Sequence, residues 1–479
     1  MTIRRVQVQV KATDVAKKAD DFSRHWRHNS AMTFYLSDLS QKLADGKCTS
    51  RELVETCLAA IDSEDGRRAF IETYETRVRD EADFIDAQRK AGRKLPPFAG
   101  IPLSIKDLYD VAGEVTRAGS TVLADAAPAT ADSEVVARLK RAGFILIGRA
   151  NMTEFAFSGL GMNPHYGNPR SPFERDLNGG RVAGGSSSGS AVSVSDGMAA
   201  VTIGSDTGGS TRAPAAYCGI VGLKPTTTRM PGAGIYPLST SFDAAGPMSN
   251  SVECAAIMDS IMAGGTGQAE SPLPLGNMRI AVPVGYLTDG LDDAVAKGFD
   301  AALKRLAAAG AVISEIRIDI LEELRPANNP KSIVAAEAFA LHRERLSGDQ
   351  GDAYDPYIAT RIRSGANISA ADYIDQLTMR AKTKSIVQQQ TRPYDALAMP
   401  TSPLVPPRIC DLDTIEKMTK TNGMILRNTA LANYLDRPTI TIPCHRAGEA
   451  PVGFSLMGSH KHDRRLLALA AAAEPVIRG

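Results

Sequence analysis

Two glycine-rich clusters of serine, residues 184–190 (GGSSSGS) and 204–210 (GSDTGGS), gather the side chains best suited to chemistry. A serine hydroxyl becomes a nucleophile only when a neighbouring group accepts its proton. Glycine permits positive φ and lets consecutive N–H groups approach a ligand closely, so each cluster can form a concave row of donors suited to a developing negative charge. A hydroxyl beside such a row is what attack on an acyl carbon requires. One Gly/Ser run alone also reads as a flexible surface loop. Two runs bracketing a small-residue helix and a short apolar strand argue for loops built to a purpose.

Three chemistries compete for this segment. Residues 185–189 (GSSSG) fit G-x-S-x-G with Ser187 as nucleophile, but that elbow needs an apolar strand leading into the turn. The preceding residues NPRSPFERDLNGGRVA are polar and turn-rich, and none of the four downstream histidines has a triad setting. Cys218 in AAYCGIVG could act as a thiolate, yet small apolar neighbours raise a thiol pKa and make it inert. The third reading rests on a further residue: Lys106 closes the run GIPLSIKD at 100–107.

Residues 184–226 closely resemble the signature of the amidase signature family, a GGSSGGS cluster followed by GSDTGGSIRxPAAFCGxxGLKPT. Its two defining serines lie 24 residues apart, matching Ser186 and Ser210 here. The family's GxPxxxKD lysine matches Lys106. Residues 36–62, 148–155 (GRANMTEF) and 451–458 (PVGFSLMG) are similar to further family segments, so the resemblance spans about 33 to 479. Ser188 in place of Gly, and Thr227-Thr228 in place of Tyr-Gly, depart from the pattern without touching the three matched positions.

The resemblance implies Ser210 as nucleophile, Ser186 with a cis peptide bond as proton relay, and Lys106 as base. It implies an oxyanion hole from the N–H groups of Thr207, Gly208, Gly209 and Ser210, with Ser187, Asp206 and Arg212 as support. Lysine is protonated at neutral pH at its reference pKa near 10.4, and burial is what frees it to act as a base. Ile101, Leu103 and Ile105 are expected to supply the apolar walls. The implied reaction is hydrolysis of a linear carboxamide to an acid and ammonia or amine through a seryl acyl-enzyme, with no cofactor. No H-E-x-x-H or spaced His/Asp/Cys cluster suggests a metal.

The surrounding pattern says how these groups are carried. Thr49 and Glu52 form a capping box before a helical run. Short apolar runs at 101–105, 144–147, 278–282, 311–316, 396–399 and 439–443 alternate with helical patterns, which predicts an α/β core with a substantially parallel or mixed sheet; the resemblance implies a mixed central sheet flanked by helices on both faces. The expected organisation is an N-terminal extension at 1–32 and one amidase domain at 33–479, with a mainly helical cover over the substrate at about 320–393. The acyl pocket is expected from parts of 152–170, 320–390 and 415–433, with Phe157, Met162 and His165 as candidates.

Lys plus Arg number 55 against 54 Asp plus Glu, and no face is strongly basic, so direct nucleic-acid binding is not expected. Six scattered cysteines without a C-x-x-C pair, no apolar signal region and no long apolar run point to a cytoplasmic protein without a membrane span. The expected partner is a small amide substrate, with a second copy of the chain as a candidate. The same motifs also resemble the glutaminase subunit of the tRNA-dependent amidotransferase. Thr227-Thr228 and the N-terminal extension depart from that subunit's pattern.

Overall fold

The computed structural model describes residues 33–325 and 331–479; the expected extension at 1–32 lies outside the described residues. Eleven strands among them form one sheet. In chain order they are β1 (Phe70–Thr73), β2 (Pro102–Lys106), β3 (Ile145–Ala150), β4 (Val201–Asp206), β5 (Val221–Lys224), β6 (Ala244–Ser249), β7 (Arg279–Pro283), β8 (Val312–Ile316), β9 (Ala396–Pro400), β10 (Thr439–Pro443) and β11 (Gly453–Met457). Their order across the sheet is β1-β3-β2-β4-β6-β5-β10-β11-β9-β7-β8. β2 runs parallel to β3 and β4, and β7 parallel to β8 and β9, whereas β6, β10 and β11 pair antiparallel with their neighbours. The sheet is therefore mixed, as the family resemblance implies.

Helices cover both faces, and strand periodicity shows it directly. Along β9, Ala396 and Ala398 pack into one apolar cluster with the helices Asp293–Ala308 and Asp463–Arg478. Leu397 and Met399 point the other way, into a cluster with helices Ala370–Thr391 and Ile415–Leu435. Strands buried on both faces read as continuous apolar runs, which is why they are visible in the sequence. The capping box also forms: Glu52 N–H donates to Thr49 Oγ1 at 3.1 Å and Thr49 N–H to Glu52 Oε2 at 2.8 Å. Residues 333–347, 356–363 and 370–391 are helical. No helix among the described residues is long and apolar enough to cross a membrane.

β1, β5 and β6 escape the sequence pattern, and two of them show why. β1 is a short edge strand of sequence FIET with little alternation. β6, AAGPMS, holds Gly246 and Pro247, residues that ordinarily argue against a central strand. It is tolerated because pairing with β5 covers only Ser249 and Met248 before Pro247, which has no N–H to give. At Gly246 a Cβ would lie 2.1 Å from the Leu223 carbonyl oxygen, so glycine permits the close approach of β5.

Parallel β2, β3 and β4 end at one edge with Lys106, Ala150 and Asp206, and the serine loops leave from there. In open α/β sheets the carboxyl ends of strands are where ligand crevices form. Far from that edge, Phe454 on β11 is fully buried and stacks on Phe299 with centroids 5.0 Å apart. Phe454→Ala should cost about 3–5 kcal/mol of stability through the cavity it leaves. Denaturant titration by circular dichroism checks this; an unchanged midpoint would contradict the packing described.

Candidate active site

Lys106 is the last residue of β2 and its side chain is fully buried. Period-two alternation puts it on the face of Ser104, whose hydroxyl bonds Ser193 at 2.8 Å and Thr202 at 2.7 Å. Ile101, Leu103 and Ile105 lie on the opposite face, so the expected aliphatic walls are not what encloses the amine. The enclosure comes from the serine loops and β4. Nζ donates to Ser186 Oγ at 2.7 Å and to Ser205 Oγ at 2.8 Å, and among the described residues no carboxylate pairs with it. Burial brings the Lys106 pKa from an ordinary 10.5 down to about 7, against the opposing pull of Asp243 and Asp206.

Ser186 opens the turn into the helix Ser188–Ser195, and the Gly185–Ser186 peptide is cis. The loop is fixed by residues 151–161: Thr153 N–H donates to the Ser186 carbonyl at 3.0 Å, and Gly185 N–H to the Gly159 carbonyl at 2.8 Å. A Cβ at Gly185 would sit 2.6 Å from Gly161 N, so this packing requires glycine. Ser187 precedes that helix, and its side chain makes no capping bond to it. Its hydroxyl donates to the Ser205 carbonyl at 3.3 Å, its N–H donates to the Ser210 carbonyl at 3.3 Å, and it does not line the cavity that Ser210 borders. That position does not suit an elbow nucleophile.

The second loop leaves β4 after Asp206. The Asp206 carboxylate accepts from Gly209 N–H at 2.8 Å, Thr211 N–H at 3.1 Å and Thr211 Oγ1 at 2.9 Å. It also takes two donors of Arg212, at 3.0 and 2.8 Å, and Asn433 Nδ2 at 2.8 Å. Burial would raise its pKa, but the Arg212 guanidinium and these donors hold it well below the usual carboxylate range. Arg212 is itself buried and reaches the Thr429 carbonyl at 2.9 Å and Asn433 Oδ1 at 2.7 Å. Asp206 and Arg212 therefore bind the loop to the helix Ile415–Leu435 rather than face a ligand.

Ser210 stands at the wall of a cavity of about 310 Å³, with Thr207 and Gly208 beside it. The N–H groups of Gly208 and Ser210 donate to no group among the described residues. Gly209 differs from the expectation. Its N–H is taken by Asp206, and its φ of +138° turns it from the cavity, with a Cβ due 2.1 Å from Thr429 Oγ1. Gly209 shapes the loop; the amides left for an oxyanion are those of Thr207, Gly208 and Ser210.

The cavity draws on Ala156, Phe157 and Ser158, on residues 331–334 with Arg361 and Gln376, and on Leu426, Arg427, Ala430 and Leu431. These fall within the three segments expected, joined by Leu238, Phe242, Tyr286 and Tyr434 from outside them. Phe157 lines it, whereas Met162 and His165 do not. The His165 ring is held by buried Glu154 at 2.9 Å, which raises its pKa. Cys218 is buried and its thiol pKa is pushed up by that burial, so it is unsuited to thiolate chemistry.

Three participants were not singled out by the sequence reading. Ser205 is Lys106's second partner; it stood in GSDTGGS, but only β4's register turns it toward Lys106. Asp243, in a loop of ordinary composition, accepts from Thr207 Oγ1 at 2.5 Å and from two backbone amides, and its own burial raises its pKa to about 6. Asn433 comes from a helix more than 220 residues along the chain from Asp206.

The amidase family model matches residues 52–467. The 2-amino-5-chloromuconic acid deaminase of Comamonas testosteroni is 33% identical over 92% of this chain and 96% of its own. A glutamyl-tRNA(Gln) amidotransferase subunit of Symbiobacterium thermophilum is 31% identical over the same shares. A crystal structure described as an amidase aligns with TM-score 0.82 and 30% identity, covering 92% of this chain and 99% of that one.

Arg212→Ala would leave the Asp206 carboxylate buried with its strongest donors gone. Loss of one partner of a buried pair costs about 3–5 kcal/mol. Chemical denaturation of the variant should show a drop of that size, and a stability equal to the parent's would refute the structural role given to the pair.

Proposed function

This chain belongs to the amidase family, and within it we propose that Ser210 is the nucleophile, Ser186 the relay and Lys106 the base. The enzyme is an amidohydrolase acting on carboxamide C–N bonds. The observation that carries the assignment is the contact between Lys106 Nζ and Ser186 Oγ at 2.7 Å, in a site that favours the neutral amine. An ammonium donates across that contact; a neutral amine accepts.

As the Ser210 oxygen attacks the carbonyl carbon, its proton passes to Ser186 while the Ser186 proton passes to Lys106. The carbonyl oxygen becomes an oxyanion facing the amides of Thr207, Gly208 and Ser210. Each such donor is typically worth about 3 kcal/mol in the transition state. The relay then runs backward: Ser186 protonates the leaving nitrogen, ammonia or amine departs, and an ester to Ser210 remains. Water, deprotonated along the same path, releases the acid. Asp206 and Arg212 hold the loop, and Asp243 holds Thr207.

We read the chain as an amidase that works alone. The similarity to an amidotransferase chain favours a second reading, a glutaminase that serves a partner. Offered glutamine, aliphatic amides, carboxylated amides and aryl amides, the purified chain should release ammonia or amine from at least one without any addition. Turnover of glutamine alone, and only with a partner chain present, would establish the other reading.

A fluorophosphonate should label Ser210, located by peptide mass spectrometry; labelling of Ser187 instead would end the assignment. Lys106→Ala should lower kcat by several orders of magnitude. The sign of the pH dependence follows from the neutral amine being the active form. Below about pH 7 Lys106 is protonated, so kcat/KM should fall on acidification and rise to a plateau above that value. A rate independent of pH between 5.5 and 8.5, roughly spanning that pKa, would remove the lysine from the relay.

A further inference from the structure

The cavity beside Ser210 is unevenly charged. Lys331, Arg361 and Arg427 line it, and among the described residues no Asp or Glu does. The three cations are not equivalent. Lys331 is ion-paired with Asp372, which leaves it little charge to offer. Arg427 spends every nitrogen on the protein: Nε on Asn428 Oδ1 at 3.0 Å, Nη1 on the Asp289 carbonyl at 2.6 Å and Nη2 on the Leu287 carbonyl at 3.1 Å. It has no carboxylate partner among the described residues, so its charge remains.

Arg361 is different again. Its Nε donates to the Phe157 carbonyl at 2.8 Å, and its guanidinium lies 4.5 Å from the Phe157 ring centroid, so both contacts fix the plane. Nη1 and Nη2 donate to no group among the described residues, and no carboxylate pairs with it there. A planar fork with both terminal nitrogens open matches a carboxylate bidentately. The guanidinium is half-buried, and an unpaired cation withdrawn from water is costly unless an anion meets it.

We propose that the substrate's acyl group carries a carboxylate, received by the Arg361 fork and favoured by the Arg427 charge, and carries no ammonium group. This rests on the seryl amidase reading above and adds the class of substrate. The second half follows from the same lining. An α-ammonium would enter a cavity with two uncompensated cations and no carboxylate to receive it, so like-charge repulsion and desolvation act against it. Glutamine carries such an ammonium. Glutaramate is glutamine without it, and the pair isolates that one group.

The experiment measures kcat/KM for succinamate, glutaramate and adipamate, for the linear alkanamides of matching length, and for glutamine. At the best chain length the carboxylated amide should exceed its neutral counterpart by about 10- to 150-fold, the range for hydrogen bonds to a charged group. Glutaramate should exceed glutamine. In Arg361→Ala the ratio of carboxylated to neutral rates should fall toward one, and Arg361→Lys should restore part of it; a ratio is insensitive to general damage. Glutarate binding to Ser210→Ala, followed by calorimetry, should weaken when Arg361→Ala is added. Neutral amides matching or beating carboxylated ones, glutamine beating glutaramate, or a ratio unmoved by Arg361→Ala would each overturn the proposal. So would an absence of both carboxylated turnover and glutarate binding. Glutaramate hydrolysis by Ser210→Ala, with its preference over pentanamide intact, would fail the nucleophile assignment while supporting the anion preference.

Discussion

An amine shut inside protein, with two serine hydroxyls as its hydrogen-bond partners and no carboxylate paired with it among the described residues, constrains everything at the β2–β4 edge of the sheet. Desolvation disfavours the ammonium, and a touching carboxylate would restore it. The fold must therefore bury Lys106 while keeping negative charge near enough to organise the loops but out of contact. Placing the lysine at the last position of β2 does part of this, because the strand's neighbours β3 and β4 close both flanks. The serine helix closes the face.

The nearby carboxylates are each occupied elsewhere. Asp206, next to Ser205 in sequence, points away from Lys106 by strand alternation and is saturated by Arg212, Asn433, Thr211 and Gly209. Asp243 is held by Thr207 and two amides. A second buried lysine, Lys224, has its pKa brought down to about 8, first by burial and then by Arg212, and gives a hydrogen bond to the Pro225 carbonyl. Among the described residues Lys106 is thus left without a direct counter-ion in this set of buried charges. Such a set is costly to break at any member.

The helix Ile415–Leu435 couples this charge network to the cavity. Its Asn422 accepts from Gly159 N–H at 2.7 Å, its Thr429 donates to the Gly208 carbonyl at 2.7 Å, and its Asn433 meets Asp206. One polar stripe therefore clamps both the 151–161 segment and the nucleophile loop. From the same helix Leu426, Arg427 and Leu431 face the cavity. Reaction geometry and acyl recognition share a single rigid element, which suits sites held to small tolerances.

Much of this was legible in the sequence where the determinants are local. Continuous apolar runs marked most strands because both faces are covered, and the capping box at Thr49 marked a helix start. Ser186 and Ser210 are legible because their glycine-rich surroundings are contiguous and glycine is dictated by backbone approach, and Lys106 because it closes an apolar run that resembles the family's GxPxxxKD segment. Tertiary structure decided what depends on register and long-range packing. It put Ile105 and Lys106 on opposite faces, brought Ser205 and Asp243 into the site, and gave Gly209's amide to Asp206. It also separated Phe157, in the cavity wall, from His165, tied to Glu154. The cationic lining was invisible for the same reason. Lys331 precedes the helix Ile333–Ser347, whereas Arg361 and Arg427 lie on two other helices, and which charges meet a carboxylate is settled only when the chain has folded.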